Sequence, residues 1–250
     1  MRLTWLDSNS WLIEIAGKYI LLDPWLFGAL VFGNLPWLFN GEKSVGYSIP
    51  DKIDLILLSQ GLEDHAHPPT LEKLDRQIPA VGSPNAAKVL QELGYVQVTA
   101  LAPGETLNFD NCLQIEAVPG SPIGPQVIEN GYLIRELTSG QTLYYEPHGY
   151  HSSTLQNKTA VDIAITPIVN LTLLKLLPIL KGQESALQLC QWLQPKVILP
   201  TGGGGNVKYE GFLTSLIREV GSIDGFRQLL AKNNLATQVI EPEPGAAIDL

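Results

Sequence analysis

Apolar and polar residues alternate with a period of two along much of the chain, the pattern of strands with one face packed and one face wet. Leu3 to Leu6 is a short instance. WLIEI and KYILLD follow, joined by Ala16-Gly17, a two-residue link suited to a hairpin. The run Asp54 to Leu58 is nearly all apolar, as in a strand buried on both faces. From Val96 to Pro147 the alternation returns, and VQVTAL, CLQIEAV, YLIREL and TLYYEP read as successive strands separated by Gly, Pro, Asn or Asp. Helical spacing is clearest in SPNAAKVLQELG, with Ser83 placed to cap, Pro84 in the first turn, Ala87, Leu90 and Leu93 on one face and Gly94 at the end. Pro68 and Pro69 lead into another helix from about Thr70. Further on, VDIAITP and KVILP read as strands around the helix QESALQLCQWLQ. Helices are expected from about Gly211 to Glu219 and from Gly225 to Asn233, and TQVIEP closes as a strand. Residues 25–39 fit neither period, and their glycines break any long helix, so a loop with short helical pieces is expected.

Strand-rich and mixed segments in both halves, with helices outside, predict an α/β fold. Its expected form is a four-layer αββα sandwich in one domain, residues 1–250, with no internal repeat. A hydrophobic fraction of 45% and a charged fraction of 16% exclude a disordered chain. The net charge of -9, with no cluster of Lys and Arg, excludes nucleic acid as a partner. Cys112 and Cys190 lie apart in apolar runs and make neither a metal spacing nor a disulfide framework, which suits a reducing compartment. The N-terminus lacks the basic start and apolar core of a signal peptide. No stretch reaches the roughly 18 to 20 apolar residues that span a bilayer. A cytoplasmic enzyme or binding protein is expected. The two most apolar stretches, residues 25–39 and 171–180, are expected to pack inside; the other reading is an apolar ligand, a membrane surface or a homo-oligomer contact.

The chain has four histidines. His65 and His67 follow one predicted strand, and His148 and His151 follow another. Imidazoles and carboxylates projecting from strand ends suit Zn, Fe or Mn, while the plainer reading is polar residues at a sheet edge. TGGGGNVKYEG, residues 201–211, invites a phosphate-loop reading, but it lacks the Gly-Lys-Ser/Thr ending and places Lys208 at the wrong spacing. A flexible loop at a pocket rim is preferred, with backbone N–H groups able to approach an anion. Asp7-Ser8-Asn9 reads as a turn, since no base is placed for Ser8.

Taken in order, LTWLDSNSWLIEIAGKYILLDPWL, DLILLSQGLEDHAHPPTLEKL, LQIEAVPGSP, TLYYEPHG, DIAITPI and KVILPTGGG resemble the metallo-β-lactamase superfamily over nearly the whole chain, nearest to its lactonase-like and phospholipase-like Zn-dependent hydrolases. The resemblance implies a His-x-His-x-Asp-His motif after the buried strand. Asp64 and His65 match it, whereas Gln60 and Leu62 stand where the first two histidines belong. Pro122 or Ser121 replaces the next histidine, Glu146 stands for a bridging aspartate, Thr201 and Gly202 replace the last histidine, and Asp7-Ser8 replaces an early Gly-His. It therefore implies at most one divalent metal (Zn, Fe or Mn), held by Asp64, His65, Glu146 and His148, with Asp64 also catalytic and with Gln60, His67, Gly202 and Gly203 at the pocket rim. Such a hydrolase would act on an ester, lactone or phosphodiester. The alternative is a non-catalytic member with no metal, whose pocket binds a small or apolar ligand or a protein partner.

Overall fold

The computed structural model describes residues 1–124, 127–174 and 176–250. By its contacts the chain divides into two compact units: residues 1–102 with 203–215 and 242–250, and residues 103–202 with 216–241.

The first unit is built on a seven-stranded sheet in the order Ala247–Asp249, Arg2–Trp5, Trp11–Ile15, Lys18–Leu22, Leu55–Leu58, Ala80–Gly82, Val98–Ala100. Neighbours are antiparallel as far as Lys18–Leu22 and parallel from there on. The Ala16-Gly17 hairpin forms as expected, with φ of 53° and 70°, the positive pair that matches strand twist. Parallel neighbours need crossovers, supplied here in part by the helices Pro68–Leu71 and Pro84–Glu92. The second buries Ala86, Ala87 and Leu90, and its face joins Ile56, Leu58, Leu71 and Leu74 in one core. The Ser83 hydroxyl donates to Asn85 Oδ1 rather than accepting a helix N–H. The helix expected from Thr70 is a single turn. A small sheet of Val207–Glu210, Asn40–Lys43 and Leu30–Val31 completes the unit.

The second unit repeats that plan in reverse chain order: Gln238–Val239, Val197–Leu199, Ile163–Ile165, Thr142–Tyr145, Val127–Glu136, Leu113–Gly124, Thr106–Phe109. Parallel pairing runs as far as Thr142–Tyr145 and antiparallel pairing follows. Helices Gln183–Leu193 and Ile223–Lys232 place Leu189, Leu193, Phe226 and Leu230 in a core with Tyr144, Ala164 and Ile198. Burying each such side chain contributes about 1.5–3 kcal/mol.

Two expectations are corrected. Residues 211–219 do not form a helix: one 3-10 turn, Leu213–Leu216, leads into the strand Ile217–Val220. That strand pairs with Asn170–Leu173, which pairs in turn with Leu177–Leu180, so ladder pairing overrides a weak helical period. Nor are the apolar stretches uniformly buried. Trp25, Leu26 and Leu30 are in the core, but Trp37 is 65% exposed, and Leu174, Leu176 and Leu177 are exposed on the 170–180 hairpin, where Lys175 lies outside the described residues. Among the described residues no helix is long and apolar enough to cross a membrane.

Candidate metal centre

The turn Asp7-Ser8-Asn9-Ser10 sends buried polar side chains to several elements of the first unit. Asp7 and Ser8 both have positive φ, 66° and 52°, which turns their side chains inward. Asp7 accepts hydrogen bonds from Tyr47 Oη and from the Asn206 N–H, both at 2.8 Å, and lies 3.6 Å from Lys43 Nζ. Burial pulls Lys43 down to about 8 against the attraction of Asp7. A Cβ on Gly205 would collide with Asp7 Oδ1, so the glycine-rich stretch is shaped to a carboxylate of this same chain. Burial also pushes Tyr209 up to about 12, against a hydrogen bond from Ser8. Ser10 Oγ donates to Asp23 O and accepts the Trp25 N–H.

His65 sits at the centre of the second knot in this unit, fully buried. Its Nδ1 is 2.7 Å from Asp23 Oδ2. Asp23 also accepts the Ser59 N–H at 2.7 Å and the Ser59 hydroxyl at 2.6 Å. Nε2 is 3.2 Å from Asp64 Oδ2 and 3.3 Å from Asn9 Nδ2. Burial works against the imidazolium, but Asp64 and Asp23 on either side outweigh it and hold His65 well above its ordinary value. A carboxylate on Nδ1 fixes the ring and leaves Nε2 as the atom that could coordinate, the arrangement common among metal-ligating histidines. Asp64 Oδ2 faces that same Nε2. His67 is also buried, but Nδ1 meets Thr70 Oγ1 at 3.0 Å and Nε2 meets Ala29 O at 3.1 Å. Burial lowers it, and it serves the core. Gln60 is buried, and no hydrogen bond reaches its Oε1 among the described residues.

The second unit carries a different cluster. Glu129 and Glu146 are both fully buried. His148 Nδ1 lies 2.8 Å from each Glu129 oxygen, and Glu129 Oε1 also accepts the Ser121 N–H at 3.2 Å. Glu146 Oε2 accepts the Tyr150 N–H at 2.8 Å. Ligand atoms of Glu129, Glu146 and His148 lie within 4.8 Å of one another. Burial, then the Glu129 carboxylate, push Glu146 well above the usual carboxylate range. Two glycines make the room: a Cβ on Gly120 would lie 2.9 Å from Glu129 Cγ, and one on Gly131 3.3 Å from Glu146 Cγ. His151 is fully buried, its Nδ1 3.0 Å from Tyr144 Oη, and burial pushes it down to about 3. Gly202 (φ 89°) lies where a Cβ would meet Leu180 Cδ1 at 2.9 Å, whereas Gly203 faces open space.

The structure thus brings Asp64 and His65 together in one unit, and Glu146 and His148 in the other. Asp23, Asn9, Ser59 and Glu129 are the additions that sequence reasoning missed. The residues present fit a divalent ion. Glu146 Oε1 is buried with no hydrogen-bond donor among the described residues, and carboxylates with imidazoles are a suitable donor set. Leu62, 44% exposed, offers no ligand atom where the motif has an imidazole.

Residues 2–202 match the family described as the β-lactamase superfamily domain. A comparison with curated proteins returned no match. Among solved structures, an isothiocyanate hydrolase from Delia radicum gut bacteria is similar with a TM-score of 0.72 at 15% identity, over 100% of this chain and 99% of that one. A metallo hydrolase from the archaeon Ignicoccus hospitalis gives 0.68 at 18% identity, over 100% and 98%. A diiron β-hydroxylase from Streptomyces venezuelae gives 0.70 at 14% identity, over 100% of this chain and 54% of that one. At such identities the likeness establishes the fold, and one fold evidently carries more than one chemistry. The chain belongs to the β-lactamase superfamily, and its mixed α/β structure is the metallo-β-lactamase fold.

Proposed function

We propose that this protein is a hydrolase of the metallo-β-lactamase fold that works with a single divalent ion on an ester, lactone or phosphodiester. Asp64 with His65 in the first unit, and Glu146 with His148 in the second, are the residues proposed as metal ligands. The observation that carries the reading is His65: a buried carboxylate, Asp23, holds its Nδ1 at 2.7 Å, and Nε2 faces Asp64. The ion, when bound, supplies Lewis-acid chemistry to hydrolysis. The chain's own residues do the rest. Asp23 fixes the His65 ring, Ser59 fixes Asp23 through two hydrogen bonds, and the Tyr150 N–H anchors Glu146 at Oε2.

One observation favours a second reading, a non-catalytic member whose pocket binds a small or apolar ligand: the exposed Leu62 at a ligand position of the motif. Elemental analysis of protein purified without chelator separates the two. The hydrolase reading expects near-stoichiometric metal that falls in Asp64→Ala and His148→Ala, together with turnover in an ester, lactone and phosphodiester screen. Protein that stays metal-free after incubation with zinc, iron or manganese and turns nothing over leaves the non-catalytic reading.

A further inference from the structure

We infer that Glu129 is itself a metal ligand, and that Glu129, Glu146 and His148 form a cation site suited to a hard divalent ion such as Mn²⁺. The inference deepens the proposed function and rests on it for the presence of an ion, but it assigns a ligand outside the family's motif. Four observations point the same way. Two carboxyl groups with no solvent exposure are placed side by side, which is costly unless a proton or a cation lies between them. Their ligand atoms and that of His148 converge within 4.8 Å. The space is built for them, because a side chain at Gly120 or Gly131 would press on the stem of Glu129 or Glu146. Around them lie fully buried polar atoms without a hydrogen-bond partner among the described residues: Glu146 Oε1 within the cluster, His151 Nε2 on a ring whose Nδ1 is 4.0 Å from Glu146 Oε2, and Thr166 Oγ1. Thr166 follows the strand end that accepts the Glu146 N–H.

The donor count sets the ion. Two carboxylates and one imidazole form a harder set than the imidazole-rich sites typical of zinc, of the kind that suits Mn²⁺. Glu129 reaches the place left by the missing histidine: its carboxylate takes the N–H of Ser121, one of the two residues standing at that position. An acid on the neighbouring strand has replaced an imidazole on this one.

The test is Mn²⁺ binding to the whole chain by isothermal titration calorimetry. Electron spin-echo spectroscopy of the Mn²⁺ form reads histidine nitrogen directly, without turnover. The expected results are one Mn²⁺ site, a tenfold or greater loss of affinity in Glu129→Gln, and a nitrogen modulation that is weakened in His148→Gln. Circular dichroism confirms that each variant is folded. If Glu129→Gln binds Mn²⁺ as the wild type does while Asp64→Asn does not, the inference is overturned and the hydrolase reading stands. If Mn²⁺ binds as expected but no substrate is turned over, the hydrolase reading falls and the site stands. Absence of any Mn²⁺ binding, or a wild-type Mn²⁺ form without nitrogen modulation, overturns the inference by itself.

Discussion

The two units meet the same problem, a group of buried acids and imidazoles, in opposite ways. In the first, charges are matched. His65 lies between Asp23 and Asp64, and Lys43 lies against Asp7, so each carboxylate has a cationic neighbour or backbone donors. In the second, Glu129 and Glu146 lie side by side with His148 against Glu129, and burial and Glu129 hold the Glu146 carboxyl well above the usual range. A matched cluster is a lock, and removing a member breaks the fold. A cluster with adjacent acids carries repulsion, and removing one of them relieves it.

The largest expected effect falls on the lock. Asp23→Ala leaves His65 and both Ser59 donors without their acceptor and should cost about 3–5 kcal/mol in urea unfolding. A cost under about 1 kcal/mol would remove the distinction between the clusters. Next comes acid. His151 has a folded value of about 3 against 6.5 unfolded, so the unfolded chain binds more protons across that window and stability falls as pH drops through it. His151→Gln should flatten the slope between pH 6.5 and 3; an unchanged slope would place acid sensitivity elsewhere.

Smaller, and opposite in sign to the first, is Glu146→Gln. It removes a raised-value acid whose favourable contribution is present below 4.5 and is lost as pH rises towards its folded value, so stability at neutral pH should be unchanged or rise by up to about 1 kcal/mol. His65 is raised too, and its contribution is complete below 6.5 and fades above it. Urea melts from pH 4 to 9 on Glu146→Gln and Asp23→Asn separate the two, since the first should remove the loss beginning near 4.5 and the second that beginning near 6.5. The smallest effect is on the surface: Trp37→Ser and Leu176→Ser should change stability by less than about 0.5 kcal/mol, checked by thermal melting.

Strand alternation alone makes most of the fold legible in the sequence. WLIEI and KYILL carry their own turn, and the helix at 84–92 carries its apolar face. The exceptions have physical reasons. Ile217–Val220 has no strong period of its own and becomes a strand through pairing with Asn170–Leu173, forty residues and more away in sequence. The shared plan of the two sheets lies in strand order and leaves no repeat in the residues. At the site, Asp64, His65, Glu146 and His148 stand out through the motif, and Glu129 does not. It lies on Val127–Glu136, a strand longer than the YLIREL that alternation picks out, and the available signal is a polar pair, Glu129-Asn130, that opens the buried part of the strand after the exposed Val127 and Ile128.

The first unit is assembled from three stretches of chain, and the strand Ala247–Asp249 closes its sheet against Arg2–Trp5. On the ribosome, that opening strand must wait for almost the entire chain to emerge before its outer edge is covered. The second unit needs little beyond residue 103 to 241, one nearly continuous span. Vectorial synthesis therefore gives the second unit its complete set of strands before the first, and leaves an early strand edge exposed to chaperones or to neighbouring chains for most of translation.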